Sequence, residues 1–556
     1  MRAAGGVPCP TGVLVFAEPF TAIGRVIVLT VCGLVLGGCS IPDVVDGSDA
    51  RAEVHDLAAV ITMGTLPAPL VPDAVGLTGQ RILNPDTHTG GRFGYLPASD
   101  AFGEHVDAFV RDAIQRQVNA VGVAYEPNAT REPAGLEDRA CQQGTTTVAA
   151  ALASGDGLDL TCDVIAASGS IAGERVRAVQ GTAAAVADDR TITVYGSTAD
   201  GSATTGDGLF DDSRREEIAQ AVDEAADRLG LGDLLGGSVD DGTSGDGTED
   251  GGASDADGET SGDDADASAA DTRLSLLLQG TTIAADGSAA IPVPSALLPA
   301  GHAPVVLAIP ADALDGLLGD LGRQVRDAVV GQTPFDAGTA VPVGRQHVDC
   351  ELVSCIAITF DDGPNDQQTP QILDILAQKQ ATATYFLLGR QVQAFPDQAR
   401  RIAEAGHQIG SHSWDHPQLT KLSDDDVRSQ LQRSLDEIEQ VTGSRPTIYR
   451  PPYGDVDDRV RGLAGIPAVL WDVDTRDWSK PGEDQEYRTA TENAHTGAIV
   501  LFHDRLDGTV HQLPAIIDDY RARGMTLVTV GQLFGDALAG NSEFMDHRAT
   551  AIEPQG

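Results

Sequence analysis

The last third of the chain alternates between short apolar segments and amphipathic segments, and this alternation restricts the fold more than any other feature. From about residue 350, apolar runs such as 356–360, 382–388 and 498–502 are each followed by a stretch with helical spacing of apolar residues. Strands that alternate with helices predict a parallel β/α architecture. We therefore expect an α/β fold whose C-terminal domain forms a closed or nearly closed (β/α) barrel. In such barrels the chemistry lies at the carboxyl ends of the strands.

The charge of the chain excludes two classes of partner. The 37 Lys and Arg residues stand against 83 Asp and Glu residues, which gives a formal net charge of −46. Nucleic-acid binding requires a basic patch that replaces condensed counterions, and adhesion to an anionic membrane surface requires clustered basic residues. The sequence therefore predicts no nucleic-acid partner and no electrostatic attachment to a membrane.

One long apolar run, residues 26–38, lies near the N-terminus behind Arg25 and ahead of Cys39. A positive residue, a short apolar stretch and a small-residue exit are typical of a secretory signal, which is too short to span a bilayer comfortably. Residues 36–39 resemble a bacterial lipobox, so we expect residues 1–39 to be a signal peptide and Cys39 to be lipidated. The alternative is an ordinary cleaved signal with an incidental Cys39. The first interpretation predicts an extracytoplasmic protein that is anchored to the bacterial cell membrane as a lipoprotein.

Four further cysteines remain for the exported chain: Cys141, Cys162, Cys350 and Cys355. An even number of cysteines in an exported protein predicts disulfides, and four allow three connectivities. The local pairs 141–162 and 350–355 are the simplest of the three. A four-thiolate metal site is the alternative, but the paired C-x2-C spacing of such sites is missing.

The chain before residue 346 divides by composition. Residues 40–105 are rich in Pro, Gly, Asp and Ala, which predicts a tether and an irregular lead-in. Residues 106–235 mix helical and alternating patterns and predict an α+β region of unknown role. Residues 272–345 predict its continuation, with strands at 274–278, 289–293 and 305–309 and a helix at 311–329.

Residues 236–271 differ in kind, because they contain almost only Gly, Ser, Thr, Asp, Glu and Ala. Such a composition buries too little apolar surface to offset chain entropy, so we predict an acidic linker or loop. A segment that binds divalent cations is the alternative, although the regular period of calcium-binding repeats is missing. The catalytic domain is then predicted over residues 346–540, and residues 541–556 as a C-terminal tail.

Polar residues cluster where the predicted strands of the C-terminal domain end. Asp361 and Asp362 follow the first strand, and two adjacent carboxylates repel each other unless a cation lies beside them. His412 and His416 follow the third strand and are four residues apart. Two histidines and one carboxylate form a common zinc ligand set that leaves positions open for water and substrate. A turn at the Asp pair and an incidental histidine pair are the alternatives for each motif alone.

Three more motifs follow in order: 450–454, 474–478 and 501–503. With 359–364 and 412–417, they make residues from about 350 to 535 resemble the polysaccharide deacetylase (NodB-homology) family, a carbohydrate esterase type. The resemblance implies that the C-terminal catalytic domain is a distorted (β/α) barrel. All five motifs of that family are present. The resemblance covers about a third of the chain and leaves residues 1–345 unassigned.

The resemblance implies a role for each motif residue. The metal, most often zinc in this family, would be bound by Asp362, His412 and His416. Asp361 would be the general base and Arg450 would orient it, while His503 would be the general acid and Asp474 would pair with it. The backbone N–H of Tyr453 would stabilise the oxyanion, and Trp478 and Leu501 would line the acetyl pocket.

The chemistry of amide hydrolysis agrees with this assignment, because a metal-activated water and a near-neutral acid suit a poor amine leaving group. The sequence therefore predicts a metal-dependent hydrolase that removes N-acetyl groups from a cell-wall polysaccharide, with peptidoglycan as the expected substrate. One alternative is an O-acetyl esterase that acts on acetylated xylan. The other is a wall-binding lipoprotein whose catalytic domain is spent.

Overall fold

The structure is a computed structural model that describes residues 56–127, 136–141, 157–182, 185–236, 262–547 and 549–555. The predicted signal peptide, Cys39 and residues 237–261 of the predicted linker lie outside these ranges. None of the helices within them combines the length and the apolar character that a membrane crossing requires.

The N-terminal region is built on two β-sheets. Its strands are β1 (Thr62–Met63), β2 (Thr78–Asn84), β3 (Thr89–Tyr95), β4 (Gly157–Ser168), β5 (Ile171–Thr182), β6 (Ala185–Ser197), β7 (Ala203–Thr205), β8 (Thr282–Ile283), β9 (Ala289–Val293) and β10 (Val305–Ile309). Strands β2 to β7 form one sheet in sequence order, antiparallel except for the parallel β3–β4 pair. The other sheet has the antiparallel order β1-β10-β9-β8.

Helices cover these sheets. They are α1 (Asp100–Val121), α2 (Leu136–Arg139), α3 (Arg215–Leu229), α4 (Gly262–Leu278), α5 (Ala311–Leu314) and α6 (Asp320–Gly331). Helix α1 begins at Ser99, whose side chain accepts a hydrogen bond from the Phe102 N–H, and buries one apolar face against the six-stranded sheet. The sheets and helices form the α+β region that the sequence predicts.

Three predicted boundaries in this region are wrong. Residues 62–95 are not an irregular lead-in, because β1, β2 and β3 pair within the sheets; glycines at 79, 90, 91 and 94 conceal the alternating pattern of β2 and β3. The linker does not extend to 271, because α4 begins at Gly262. Residues 274–278 end that helix and are not a strand, since Leu274, Leu277 and Leu278 share its buried face.

The C-terminal region contains eight strands and eight helices within the described residues. The strands are β11 (Cys355–Asp361), β12 (Thr384–Leu387), β13 (Gln408–Ser411), β14 (Ala468–Val469), β15 (Val473–Asp474), β16 (Ile499–His503), β17 (Thr526–Val528) and β18 (Glu543–Phe544). The helices are α7 (Gln368–Gln378), α8 (Gly389–Ala394), α9 (Pro396–Glu404), α10 (Asp424–Thr442), α11 (Asp458–Ala464), α12 (Glu483–Glu492), α13 (Asp507–Ala522) and α14 (Val530–Phe534). The alternation confirms the predicted α/β class.

The main sheet of this region is parallel and has the order β13-β12-β11-β16-β15, with β17 also paired to β11. Single parallel bridges at Tyr449 link Ser411 of β13 to Ala468 of β14. Strand β18 pairs with β14, so residues 543–544 belong to the fold and the predicted boundary of a tail at 541 is wrong. The closure of this array into a distorted barrel stays a prediction.

The two regions share one hydrophobic core cluster, which includes Phe93 and Tyr125 from the first and Leu352 and Val528 from the second. The Tyr125 hydroxyl donates to the Leu352 carbonyl at 2.6 Å. Disulfides join Cys141 to Cys162 and Cys350 to Cys355, which is the local connectivity. The second disulfide stands at the start of β11. Leu352, beside that disulfide, and Val528 of β17 belong to the shared cluster, so the described part of the N-terminal region packs at the amino ends of the parallel strands.

Candidate active site

Three ligand-type side chains meet at the carboxyl ends of β11 and β13. Asp362 directly follows β11, and His412 directly follows β13. Asp362 Oδ1 lies 3.8 Å from His412 Nε2 and 3.7 Å from His416 Nε2. All three ligand atoms lie within 4.8 Å of one another. Metal–ligand bonds of about 2.0–2.2 Å in a tetrahedral site place ligand atoms about 3.3–3.6 Å apart, so this donor set fits a zinc-sized dication.

Local hydrogen bonds fix the His412 ring and the His416 backbone. His412 Nδ1 lies 2.8 Å from the Arg450 carbonyl oxygen, which can only accept, so Nδ1 carries the proton and Nε2 presents its lone pair. The His416 N–H donates to Ser413 Oγ at 3.1 Å. Asp362, Ser413 and His416 have left-handed φ values of 75°, 70° and 69°. Such conformations cost energy in residues other than glycine and often occur at functional sites.

Asp361 is the last residue of β11 and is almost completely buried. Arg450, which is fully buried, donates from Nη1 to Asp361 Oδ1 at 2.9 Å and to Thr359 Oγ1 at 2.7 Å. Its other donors reach the Val469 and Leu470 carbonyls at 3.0 and 2.7 Å. This network fixes one carboxylate oxygen of Asp361, and the other oxygen, Oδ2, lies 3.6 Å from His412 Nε2. The free oxygen therefore faces the ligand cluster.

His503 ends β16 and is the register partner of Asp361 on the neighbouring strand. Its Nδ1 lies 2.7 Å from Asp477 Oδ1, and its backbone N–H donates to Asp477 Oδ2 at 2.7 Å. Thr509 Oγ1 also donates to Asp477 Oδ2, at 2.9 Å. Because Asp477 occupies Nδ1, Nε2 is the ring nitrogen that can exchange a proton with a substrate.

The predicted pairing of His503 with Asp474 is wrong. Asp474 accepts a hydrogen bond from the Arg476 N–H at 2.9 Å and belongs to the end of β15. The chain then turns through a 3₁₀ segment, Asp477–Ser479. This turn brings the Asp477 carboxylate to the His503 ring. Both aspartates stand in the same sequence motif, and only the turn between them decides which one reaches the histidine.

The surroundings shift two pKa values in opposite directions. Burial lowers the pKa of His503, but the hydrogen bond and the charge of Asp477, with the charges of Asp361 and Asp362, outweigh it and raise the pKa to about 9. Burial raises the pKa of Asp362, but the charges of His412, Arg505, His503 and His416 outweigh it and hold the pKa below its usual value. The site therefore keeps a protonated imidazolium beside an ionised carboxylate at neutral pH.

Two residues of the site were not assigned a role from the sequence. Asp504 is fully buried, accepts from Thr369 Oγ1 at 2.6 Å, and has a pKa raised to about 7, mainly by burial. A Cβ at position 363 would lie 2.2 Å from an Asp504 oxygen, which explains Gly363 there. Arg505 is about half exposed, and its Nη2 lies 3.0 Å from Asp362 Oδ2. The adjacency of both residues to His503 is the sequence signal that marks them.

The three predicted substrate-binding residues lie on segments that also carry site residues or adjoin them. Tyr453 has a left-handed φ of 63°, and its ring packs edge-on against His416 with centroids 4.5 Å apart. Its side chain and that of Trp478 are largely exposed, whereas Leu501 is buried in β16. Trp478 directly follows Asp477, the partner of His503. Leu501 lies in β16, the strand that ends at His503.

A family model and several known proteins are similar to part of this chain. Residues 350–465 match the family model described as polysaccharide deacetylase. The peptidoglycan-N-acetylglucosamine deacetylase PgdA of Listeria monocytogenes is 40% identical over 191 residues, which are 34% of this chain and 41% of that protein. The peptidoglycan-N-acetylmuramic acid deacetylase PdaC of Bacillus subtilis is 40% identical over 178 residues, which are 32% of this chain and 38% of that protein.

A shorter relative is covered almost completely. A peptidoglycan-N-acetylglucosamine deacetylase of Bacillus cereus is 37% identical over 186 residues, which are 32% of this chain and 87% of that protein. The chain spans about two fifths of the length of the two longer relatives. The residues that the family model matches include the three candidate metal ligands. This chain belongs to the polysaccharide deacetylase family.

Proposed function

We propose that this protein is a metal-dependent N-deacetylase of a cell-wall polysaccharide, with zinc as the metal and peptidoglycan as the substrate. The observation that carries the proposal is the meeting of Asp362, His412 and His416 beside an Arg450-held carboxylate and an Asp477-held imidazole. A spent catalytic domain would have lost one of these residues. All of them are present, and their hydrogen bonds are formed.

Bound zinc would polarise the acetamide carbonyl and lower the pKa of a coordinated water to about 7. Asp361 then accepts the proton of the attacking water at the carboxylate oxygen that Arg450 leaves free. Arg450 keeps this carboxylate oriented, because its guanidinium is buried with four acceptors and cannot turn away. A positioned base of this kind contributes on the order of 10²–10⁴-fold to the rate.

His503 supplies the proton that the leaving amine requires. Its raised pKa keeps the imidazolium populated at neutral pH, and Asp477 holds the ring through Nδ1 so that Nε2 can donate. Asp361 and His503 are register partners on adjacent strands, about 4.8 Å apart in the hydrogen-bonding direction. Base and acid therefore stand side by side at one edge of the sheet and can serve the same scissile amide.

The remaining site residues complete this proposal. The Tyr453 N–H stabilises the oxyanion of the tetrahedral intermediate, and one such donor is worth on the order of 3–4 kcal/mol. Trp478 and Leu501 accept the acetyl methyl group. The parallel strands close as a distorted barrel around the site, a proposal supported by the bridges that extend the sheet from β13 through Tyr449 to β14.

The substrate class rests on the relatives. The three relatives described above carry names that refer to peptidoglycan deacetylation, two at N-acetylglucosamine and one at N-acetylmuramic acid. The lipobox-like residues 36–39 and the four paired cysteines support an extracytoplasmic location with a lipid anchor at Cys39. At that location, peptidoglycan is the N-acetylated glycan that the enzyme meets.

The test is acetate release by the full-length chain from intact peptidoglycan, N-acetylglucosamine oligomers and acetylated xylan, each with zinc and with chelator. We expect chelator-sensitive acetate from peptidoglycan or from the oligomers. Acetate from xylan alone would replace the proposal with an esterase. No acetate from any of the three substrates, with zinc bound, would remove the enzymatic proposal.

A further inference from the structure

Arg505 lies beside the ligand cluster, on a carboxylate that a bound dication would share. Its Nη2 lies 3.0 Å from Asp362 Oδ2, on the same carboxylate whose other oxygen faces His412 and His416. A dication on the other oxygen of Asp362 would offset the negative charge that attracts the guanidinium and would repel the guanidinium itself, since like charges a few ångströms apart cost free energy even near a protein surface. The Arg505 side chain is 55% exposed, so it can swing outward without disturbing the core.

The released guanidinium remains near the centre because the backbone of its loop is fixed. Arg505 lies two residues after His503, which is bound through both its ring and its N–H to Asp477. Asn365 Nδ2 donates to the Asp504 carbonyl at 2.8 Å and holds the loop from the other side. The side chain therefore moves while its Cα stays beside the general acid.

Two more cations lie on the loop that meets His503 from the opposite side. Arg476 and Lys480 flank the turn Asp477–Ser479, and both are exposed with left-handed φ values of 58° and 52°. Within the part of the chain that the structure describes, neither side chain takes part in an ion pair, whereas most arginines in this acidic protein do. The two loops at Asp477 and at His503 therefore carry three cations, in a chain whose net charge is −46.

We infer that Arg505, supported by Arg476 and Lys480, selects glycans that carry a carboxylate close to the reacting acetamide. The inference rests on the proposed deacetylase function and names the kind of glycan within it. The chemistry recognised is a carboxylate, since a guanidinium forms charge-assisted and often bidentate hydrogen bonds with that group. Peptidoglycan offers carboxylates from two sources, an acidic ether substituent on the sugar and the attached peptide.

The experiment compares Arg505→Gln with the wild-type chain on three substrates: neutral N-acetylglucosamine oligomers, glycan strands stripped of peptide, and strands that retain peptide. We expect the ratio of kcat/KM on acidic strands to kcat/KM on neutral oligomers to fall about fivefold to tenfold, through KM. Arg505→Lys should restore part of the ratio. A fall on both kinds of strand assigns the sugar-borne carboxylate, and a fall only on peptide-bearing strands assigns the peptide.

A matched control is available in Arg428 on α10, whose side chain is also 55% exposed and pairs with an aspartate. Arg428→Gln should leave the ratio unchanged. An unchanged ratio in Arg505→Gln, or a fall of equal size in Arg428→Gln, would overturn the inference. Where the wild-type chain releases no acetate from any substrate, the proposed function has failed, and that outcome is separate from a failure at Arg505.

Zinc binding by titration calorimetry gives a readout that does not depend on turnover. Because Arg505 competes with the dication for Asp362, Arg505→Gln should bind zinc at least as tightly as the wild-type chain, and up to about tenfold more tightly. Weaker zinc binding would show that Arg505 supports the ligand cluster, and it would overturn the idea that the side chain is released.

Discussion

Both regions of the molecule bury charged side chains, but they arrange them differently. In the N-terminal region, Arg175 pairs with Asp163 directly across β4 and β5, and Arg177 pairs with Asp189 at the β5–β6 boundary. Each of these arginines has an aspartate partner on a neighbouring strand. In the C-terminal region, oxygens of Asp361 and Asp362 lie 3.6 and 3.8 Å from His412 Nε2. Arg450 and Arg505 each contact one oxygen of these carboxylates.

The difference follows from the direction of the strands. In an antiparallel sheet, opposite charges on neighbouring strands meet on a face and neutralise each other locally. In a parallel sheet, the strands end at the same edge, so the residues that follow β11, β13 and β16 converge there. Burial of a charge is therefore a poor indicator of a site, and convergence of several charges on one open edge is a good one.

The largest loss of activity should come from removing the general base, and it should leave zinc binding intact. Asp361→Asn leaves the three ligand side chains in place but removes the proton acceptor, so acetate release should fall on the order of 10⁴-fold while zinc binding persists. His412→Ala should lose both acetate release and zinc binding. Parallel assays of acetate and of zinc by titration calorimetry test this. Full acetate release in Asp361→Asn would remove the assigned base.

A smaller loss in kcat should distinguish Asp477 from Asp474, the two aspartates of one sequence motif. Asp477→Asn removes the acceptor behind His503 and should lower kcat on the order of 10²-fold, whereas Asp474→Asn should change kcat less than about threefold. Steady-state kinetics of the two variants on one substrate decide between them. A larger loss in Asp474→Asn would restore the pairing that the structure contradicts.

The pH profile sharpens the same contrast. The general acid must be protonated, so activity falls as pH rises through the pKa of His503. Asp477 raises this pKa to about 9 in the metal-free chain, and a bound dication that neutralises Asp362 would lower it from there. The alkaline limb of kcat should therefore move to lower pH in Asp477→Asn. An unmoved limb would show that another group controls it.

A comparison of stability tests the two regions directly. Arg450→Met leaves the Asp361 carboxylate buried without its cation and should cost about 3–5 kcal/mol in the free energy of unfolding. Arg177→Met in the N-terminal region removes a partly exposed pair and should cost about 0–1 kcal/mol. Guanidinium denaturation of the full-length chain measures both. Equal costs would contradict the distinction between a local pair and a converging network.

Most of the C-terminal architecture could be predicted from the sequence, because apolar strands and amphipathic helices there alternate strongly. The residues of the ligand cluster could be predicted for the same reason, since Asp362 and His412 each follow a strand directly. The partner of His503 could not, because a turn of three residues decides between Asp474 and Asp477. Nearness to His503 marks Arg505 in the sequence, but its contact with Asp362 could not be predicted, since it joins segments that are far apart in the sequence.

The N-terminal region was harder to predict for a different reason. Strands β2 and β3 contain glycines, which interrupt the apolar alternation and resemble a loop composition. Helix α4 begins within acidic, alanine-rich residues that resemble a linker, and only its last two turns bury leucines. In both cases tertiary pairing stabilises segments whose own composition gives a weak signal.

The central claim is that the residues at the carboxyl ends of β11, β13 and β16 form one metal-dependent deacetylation centre. The most direct test is to strip the full-length chain with chelator, add zinc stepwise, and follow acetate release from peptidoglycan. We predict that acetate release is lost with chelator, returns in proportion to zinc up to one equivalent per chain, and never returns in His412→Ala. Acetate release that survives chelation, or that returns in His412→Ala, would contradict it.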